Sequence, residues 1–169
     1  FLKKWELFKI ITLKKGRIEI KIEAIVIGAG VVGLAVAKSL ADKGIEVAVI
    51  EKEKRIGEGA STRNSGVIHA GLYYSPKSLK AKVCCDGRQK LYEYAARKNI
   101  PFKKTGKLIL ATKKNQLEQL ESLYEIGKAN GVPLRILSKE KVTVLEEEIS
   151  CERAIFSSES GIILSLIHI

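Results

Sequence analysis

Three glycines and one carboxylate carry the clearest chemistry in the sequence. Gly28, Gly30 and Gly33 stand in the spacing GxGxxG within VIGAGVVG, and Glu51 lies eighteen residues beyond the last of them. That spacing suits a diphosphate. Gly28 permits a tight turn out of a strand, Gly30 lets the backbone approach the charged group, and Gly33 lets a helix pack close to the sheet. The N-terminus of that helix, with Ala29 and Val31 in the turn, presents amide N–H groups and a partial positive charge. A carboxylate at Glu51, with Lys52 beside it, accepts both hydroxyl hydrogens of an adenosine ribose and repels a 2′-phosphate. A glycine-rich turn that holds no nucleotide is the bland alternative.

A second stretch, RNSGVIHAGLYYSPKSLKA from Arg63 to Ala81, follows soon after. Asn64 and Ser65 offer hydrogen bonds, and Gly66 lets backbone lie against a flat ring. A plain NAD domain usually proceeds quickly to a third strand. Here the chain runs instead through RIGEGASTRNSGVIHAG, whose small residues, amides and hydroxyls suit a larger cofactor, FAD.

The elements that must position these groups read as follows. Ile22–Ile27 is a short β-branched run that predicts a buried strand. Val31–Lys43 places Val32, Ala35, Val36 and Leu40 at helical spacing, with Gly44 as its stop. Ile45–Glu51 predicts a second strand, parallel to the first across a βαβ crossover. A loop over Lys52–Gly66 leads to a helix at Ser78–Lys98 with Ser78 as N-cap. Beyond it come a strand at Gly106–Lys113, an amphipathic helix at Gln116–Asn130, and a strand in VPLRIL. A short helix at Ser138–Glu147, opened by a capping serine, and a strand in RAIFS complete the pattern. The fold class is therefore α/β, a Rossmann-like βαβ unit followed by the start of an α+β domain, with the break near Asn99–Pro101. Residues 22–98 read as the nucleotide-binding part and 99–163 as the beginning of a substrate domain.

The 169 residues carry a net charge of +11, of which the first 21 supply +5 through seven Lys/Arg against two Asp/Glu. Elsewhere both signs interleave, and no basic face with aromatics among it points to nucleic acid. Cys84, Cys85 and Cys151 form no metal-ligand spacing and read as reduced thiols of an intracellular protein. The uncharged run Ala24–Ala37 falls short of the roughly 20 residues a bilayer span needs. In residues 1–21, Phe1, Trp5 and Phe8 recur at helical spacing among lysines, as in a helix lying on a membrane surface. The alternative is an upstream extension outside the genuine coding sequence.

On these residues the sequence resembles the D-amino-acid-oxidase-like superfamily of FAD-dependent oxidoreductases. Within it, STRNSGVIHAGLYYSPKSLKAKVC, GRQKLYEYAARKNIPFKKTGKLILAT and LYEIGKANGV are similar to the L-2-hydroxyglutarate dehydrogenases and oxidases. The resemblance runs from Glu23 to Ile163. It implies FAD held by Gly28, Gly30, Gly33 and Glu51, with Arg63–Gly66 on the pyrophosphate and flavin side. It implies hydride transfer from C2 of a small 2-hydroxy acid to flavin N5, giving 2-oxoglutarate from L-2-hydroxyglutarate, with oxygen or the respiratory chain taking the electrons. The expected setting is the cytoplasm, or the periphery of the inner membrane. A glycerol-3-phosphate dehydrogenase, whose relatives carry a related RN-x-G-x-x-H-x-G segment, and a non-catalytic adenine-dinucleotide module are the competing readings.

His69 is the candidate catalytic base, because taking a hydroxyl proton while a hydride leaves the same carbon suits a group titrating near neutral pH. A contact to flavin or backbone, or mere packing, is its bland reading. Tyr73 and Tyr74 are candidates for donating to a substrate carboxylate, or are simply walls. Lys80 and Lys82 are weaker candidates for attracting a dicarboxylate. Two departures from the family stand out. Lys77 occupies a place where glycine is more common, and residues 164–169, LSLIHI, read as a non-native tail. The segment ending there is expected to be inactive by itself.

Overall fold

The computed structural model describes residues 8–9 and 22–163. The chain divides into two compact units, one through Asn64 and one from Ser65. The functional break read at Asn99–Pro101 falls inside the second unit.

In the first unit, β1 (Phe8–Lys9), β2 (Ala24–Ile27) and β3 (Val47–Ile50) form a parallel sheet in the order β1-β3-β2. Ala24 to Ile27 pair in register with Val47 to Ile50, joined by the crossover helix α1 (Val31–Ala41). This is the βαβ unit that the alternation of β-branched runs with a helical period predicts, but β2 is not the buried strand expected, since Ile25 and Ile27 are 59% and 85% exposed. Phe8–Lys9 pairs with Val47–Ala48 as strand, not helix. The rest of 1–21, and the tail at 164–169, lie outside the described residues.

The second unit holds two antiparallel sheets. β6 (Lys107–Ala111), β8 (Arg153–Ser157) and β7 (Leu134–Ser138) form one, in the order β6-β8-β7. Its alternation sorts side chains onto two faces. Ala111 and Ile155 pack with Leu120 of α3 (Leu117–Ala129), with Leu117, Leu123 and Tyr124 alongside. Leu137 and Ala154 pack with Val142 of α4 (Lys139–Leu145), against Leu108, Leu110 and Phe156. The other sheet, β4 (Val67–Ile68), β9 (Gly161–Ile163) and β5 (Phe102–Lys103), joins three very short strands in the order β4-β9-β5. Sequence patterning missed all three.

α2 (Leu79–Arg97) begins where expected, with the Ser78 hydroxyl accepting from the Ala81 amide at 3.1 Å. Ser138 behaves differently. It sits at the N-cap of α4 but makes no capping bond there; its hydroxyl serves the Glu140 carboxylate instead and lowers that group's pKa. Three helices leave by one device. A residue in the left-handed region, Gly44, Asn99 or Gly131, follows each helix, and the next residue's amide bonds back, Ile45 to Leu40, Ile100 to Ala95 and Val132 to Gly127. This satisfies carbonyls that the helix end would orphan. Among the described residues no helix is long and apolar enough to cross a membrane.

Lys77 also has a positive φ, +66°, which explains why glycine suits this place. A Cβ in that region costs about 1–2 kcal/mol, partly offset by glycine's freedom in the unfolded chain. Lys77→Gly is therefore expected to raise stability by about 0.5–1 kcal/mol, read from the urea midpoint. A lower midpoint would show that the lysine side chain contributes more than its backbone costs.

Candidate functional site

In the first unit, β2 ends at Ile27 and the chain turns through Gly28, whose φ is +98°. Only glycine adopts that conformation cheaply. Gly30 then caps α1 in extended conformation. A Cβ on Gly33 would lie 1.9 Å from the Gly28 carbonyl oxygen, so helix and turn touch backbone to backbone. A Cβ on Gly30 would meet the Ser61 hydroxyl at 3.2 Å.

Glu51 follows β3 directly and closes the turn from the other side. Its Oε2 accepts from the Ala29 amide at 2.6 Å and its Oε1 from the Glu53 amide at 3.0 Å. The bond from Glu53, then that from Ala29, holds its pKa below the usual carboxylate value. Ser61 accepts from the Val31 amide at 2.9 Å. Two of the turn's amides are thus already taken by side chains. Among the described residues none accepts from the amides of Gly30 and Val32, which leaves donors at a helix N-terminus.

Lys52 is exposed and pairs with Glu53 at 3.5 Å. Arg63 is exposed, and its amide donates to Ala60. The Asn64 side chain donates to the Ser61 carbonyl at 2.6 Å. Ser61 is the residue that sequence reasoning passed over. It touches both Gly30 and Val31, and it opens the STRNSG run that carries the family resemblance.

In the second unit, Ser65 is exposed and Gly66 has a φ of +66°. The Gly66 carbonyl accepts from Ile163. His69 is exposed just after β4. Its Nδ1 lies 3.4 Å from the Tyr74 hydroxyl. Cys84 of α2 reaches the same place, its Sγ 3.6 Å from the His69 carbonyl oxygen. Burial raises the pKa of Tyr74 and also that of Cys84. Tyr73 is 43 % exposed, with Lys107 Nζ 4.7 Å from its ring centre. Lys80 Nζ lies 4.6 Å from the Tyr74 ring centre. The two tyrosines therefore differ: Tyr74 turns to His69, whereas Tyr73 stays open beside a lysine. Lys82 is exposed. Among the described residues no cluster of His, Cys, Asp or Glu could hold a metal ion.

The family model described as FAD dependent oxidoreductase, DAO, matches residues 23–165. The mitochondrial L-2-hydroxyglutarate dehydrogenase of Arabidopsis thaliana is 45% identical over 85% of this chain and 30% of its own length. That of Homo sapiens is 41% identical over 83% of this chain and 31% of its own. The chain thus spans about a third of the length of the curated relatives it matches. Among solved structures, the dithionite-reduced L-alpha-glycerophosphate oxidase of Mycoplasma pneumoniae with FAD bound superposes with a TM-score of 0.76 at 32% identity. That match covers 83% of this chain and 38% of the oxidase. Glycine oxidase from Geobacillus kaustophilus, at 23% identity and a TM-score of 0.75, shares the fold over 85% of this chain and 40% of its own.

Two substitutions test the turn. Gly33→Ala forces backbone apart and is expected to cost at least about 2–3 kcal/mol in urea unfolding; a loss below measurement error would mean that helix and turn are not in contact. Glu51 has a lowered pKa, so its stabilisation is present above its ordinary value of 4.5 and lost as pH falls through the folded one. Glu51→Gln should flatten that acid-side loss, and an unchanged acid limb would show that the two amide bonds do not form.

Proposed function

The chain belongs to the DAO family of FAD-dependent oxidoreductases, and on that premise we propose that it is the N-terminal part of an enzyme oxidising L-2-hydroxyglutarate to 2-oxoglutarate. The carrying observation is the turn from Gly28 to Gly33 with Glu51 locked across it by the Ala29 amide. The identity with relatives named L-2-hydroxyglutarate dehydrogenase supports the substrate.

The residues fit FAD. A positive φ at Gly28, a bare Gly30 and the close pass at Gly33 leave backbone donors where a diphosphate is held in dinucleotide folds. Under this reading the turn of Gly28, Ala29, Gly30, Val31 and Gly33 frames the diphosphate, with the amides of Gly30 and Val32 as the donors left to meet it. Glu51 and Lys52 hold the ribose end, and Arg63, Asn64, Ser65 and Gly66 lie along the pyrophosphate and flavin. Bound FAD supplies an N5 that takes a hydride.

The protein supplies the proton path. His69 takes the proton of the 2-hydroxyl as the C2–H bond breaks with its electron pair, so the carbonyl forms without a high-energy alkoxide in water. Tyr73, open to solvent, and the half-buried Lys107 beside its ring are the pair that would meet a substrate carboxylate, the phenol as donor and the ammonium as charge. Oxygen or a respiratory chain takes the electrons onward, in the cytoplasm or at the periphery of the inner membrane. The mitochondrial names of the relatives favour the respiratory acceptor.

The likeness to a glycerophosphate oxidase favours glycerol 3-phosphate as the second reading. A polypeptide of full family length containing this segment should purify yellow, and anaerobic L-2-hydroxyglutarate should bleach its flavin absorbance. Bleaching by glycerol 3-phosphate alone would exclude the 2-hydroxy acid and leave the cofactor standing. In that protein His69→Gln should lower kcat by about 10²–10⁴-fold at unchanged flavin content; equal loss of both would make His69 a cofactor contact.

A further inference from the structure

His69 is an exposed residue between two buried ones, Ile68 and Ala70. The strand before it, β4, has only Val67 and Ile68, paired with Ile162 and Gly161 of β9. Two residues make a shorter strand than most. The ladder sets where the chain enters the loop, and the residues after it must be held by other means. Buried carbonyls are where such means act, because each needs a donor.

One charged donor reaches them. Arg88 of α2, its side chain 12% exposed, donates from Nη1 to the Ala70 carbonyl at 2.7 Å. The other side-chain donors to the His69 and Ala70 carbonyls, among the described residues, are the thiols of Cys84 and Cys85 at 3.6 and 3.7 Å. A thiol is a weak donor, whereas a guanidinium makes one of the stronger hydrogen bonds in a protein. The Nε of Arg88 lies 3.6 Å from Oε2 of Glu159, in the turn between β8 and β9. Nε makes no hydrogen bond at that distance, so this side is held by charge. Lys104 Nζ stands 3.6 Å from the same oxygen. Glu159 is fixed in turn. Tyr92, one helical turn beyond Arg88, donates to the Glu159 carbonyl at 3.0 Å, and Gly161 passes so close to that hydroxyl that a Cβ would overlap it.

We propose that Arg88 is a positioning residue for His69: its guanidinium clamps the peptide after the histidine to the turn that leads into β9, and so fixes the point from which the imidazole projects. This deepens the reading of His69 as proton acceptor and rests on it. β9 is also the partner of β4, so the clamp returns the loop to the element that launched it. The far end of the loop has a separate tie, Asn130, which donates to the Gly71 carbonyl at 3.0 Å and the Tyr74 carbonyl at 2.7 Å. Arg88 therefore governs the end that carries His69. A planar fork can meet an oxygen on each side, which the compact ammonium of a lysine cannot.

The test uses the full-length holoenzyme. Arg88→Met, which removes the donors and the charge, should speed hydrogen exchange over Val67–Leu72 by roughly tenfold or more, with α3 and the β6-β8-β7 sheet unchanged. It should lower kcat by roughly 10²-fold while KM and flavin content change little. Beside His69→Gln the same substitution should cost almost nothing further, since the two residues act as one unit; a residue that only stabilised the fold would add its full penalty there. Arg88→Lys keeps a cation for Glu159 and is the milder variant should Arg88→Met not fold; it should show the same changes in smaller measure. Wild-type exchange over Val67–Leu72 in a folded variant, or an undiminished kcat penalty beside His69→Gln, overturns the proposal. Exchange needs no turnover, so if no 2-hydroxy acid is oxidised while exchange still responds, the functional reading falls and the clamp stands.

Discussion

Helix and strand in the first unit meet at one point where nothing but backbone fits. Gly33 sits against the Gly28 carbonyl so closely that a methyl group would overlap it. Glu51 then braces the turn from the neighbouring strand. Loosen the contact and the helix dipole no longer points where a diphosphate would bind. The site in this unit is therefore a consequence of packing before it is a matter of side-chain chemistry.

This is why so much of it was legible. Glycine spacing encodes backbone conformation directly, and Gly28 and Gly33 have the positive φ and the close contact that the spacing implies. Long periodic elements were equally plain. α2 starts at its serine cap and α3 buries the predicted Leu117, Leu120, Leu123 and Tyr124 face. The strands that patterning missed have two or three residues each, and Val67 pairs with Ile162, far along the chain. Nothing local marks such strands, because the ladder exists only after the partners meet. Ser138 stands at the N-cap of α4 yet makes no capping bond, which its residue type and place in the sequence do not foretell.

Ser61 shows the limit from the other direction. Its hydroxyl fills the space that Gly30 leaves and satisfies the first amide of α1. In sequence it is one serine in a loop thirty residues from that amide. Spacing within a motif is visible, but a partner delivered by a loop is not. Lys77 was visible as a departure, and its positive φ supplies the physical meaning: the turn before Ser78 demands a left-handed residue whatever side chain occupies it.

The two units use different means. The nucleotide turn relies on glycine and main-chain amides, which tolerate few substitutions but need no exact rotamer. The loop carrying His69 relies on side chains that reach over from α2 and from the C-terminus of α3. Those side chains meet the carbonyls of His69, Ala70 and Tyr74 and so set the path of the loop. Cys84 and Cys85, which read in sequence as reduced thiols, thus serve the carbonyls of His69 and Ala70 from α2.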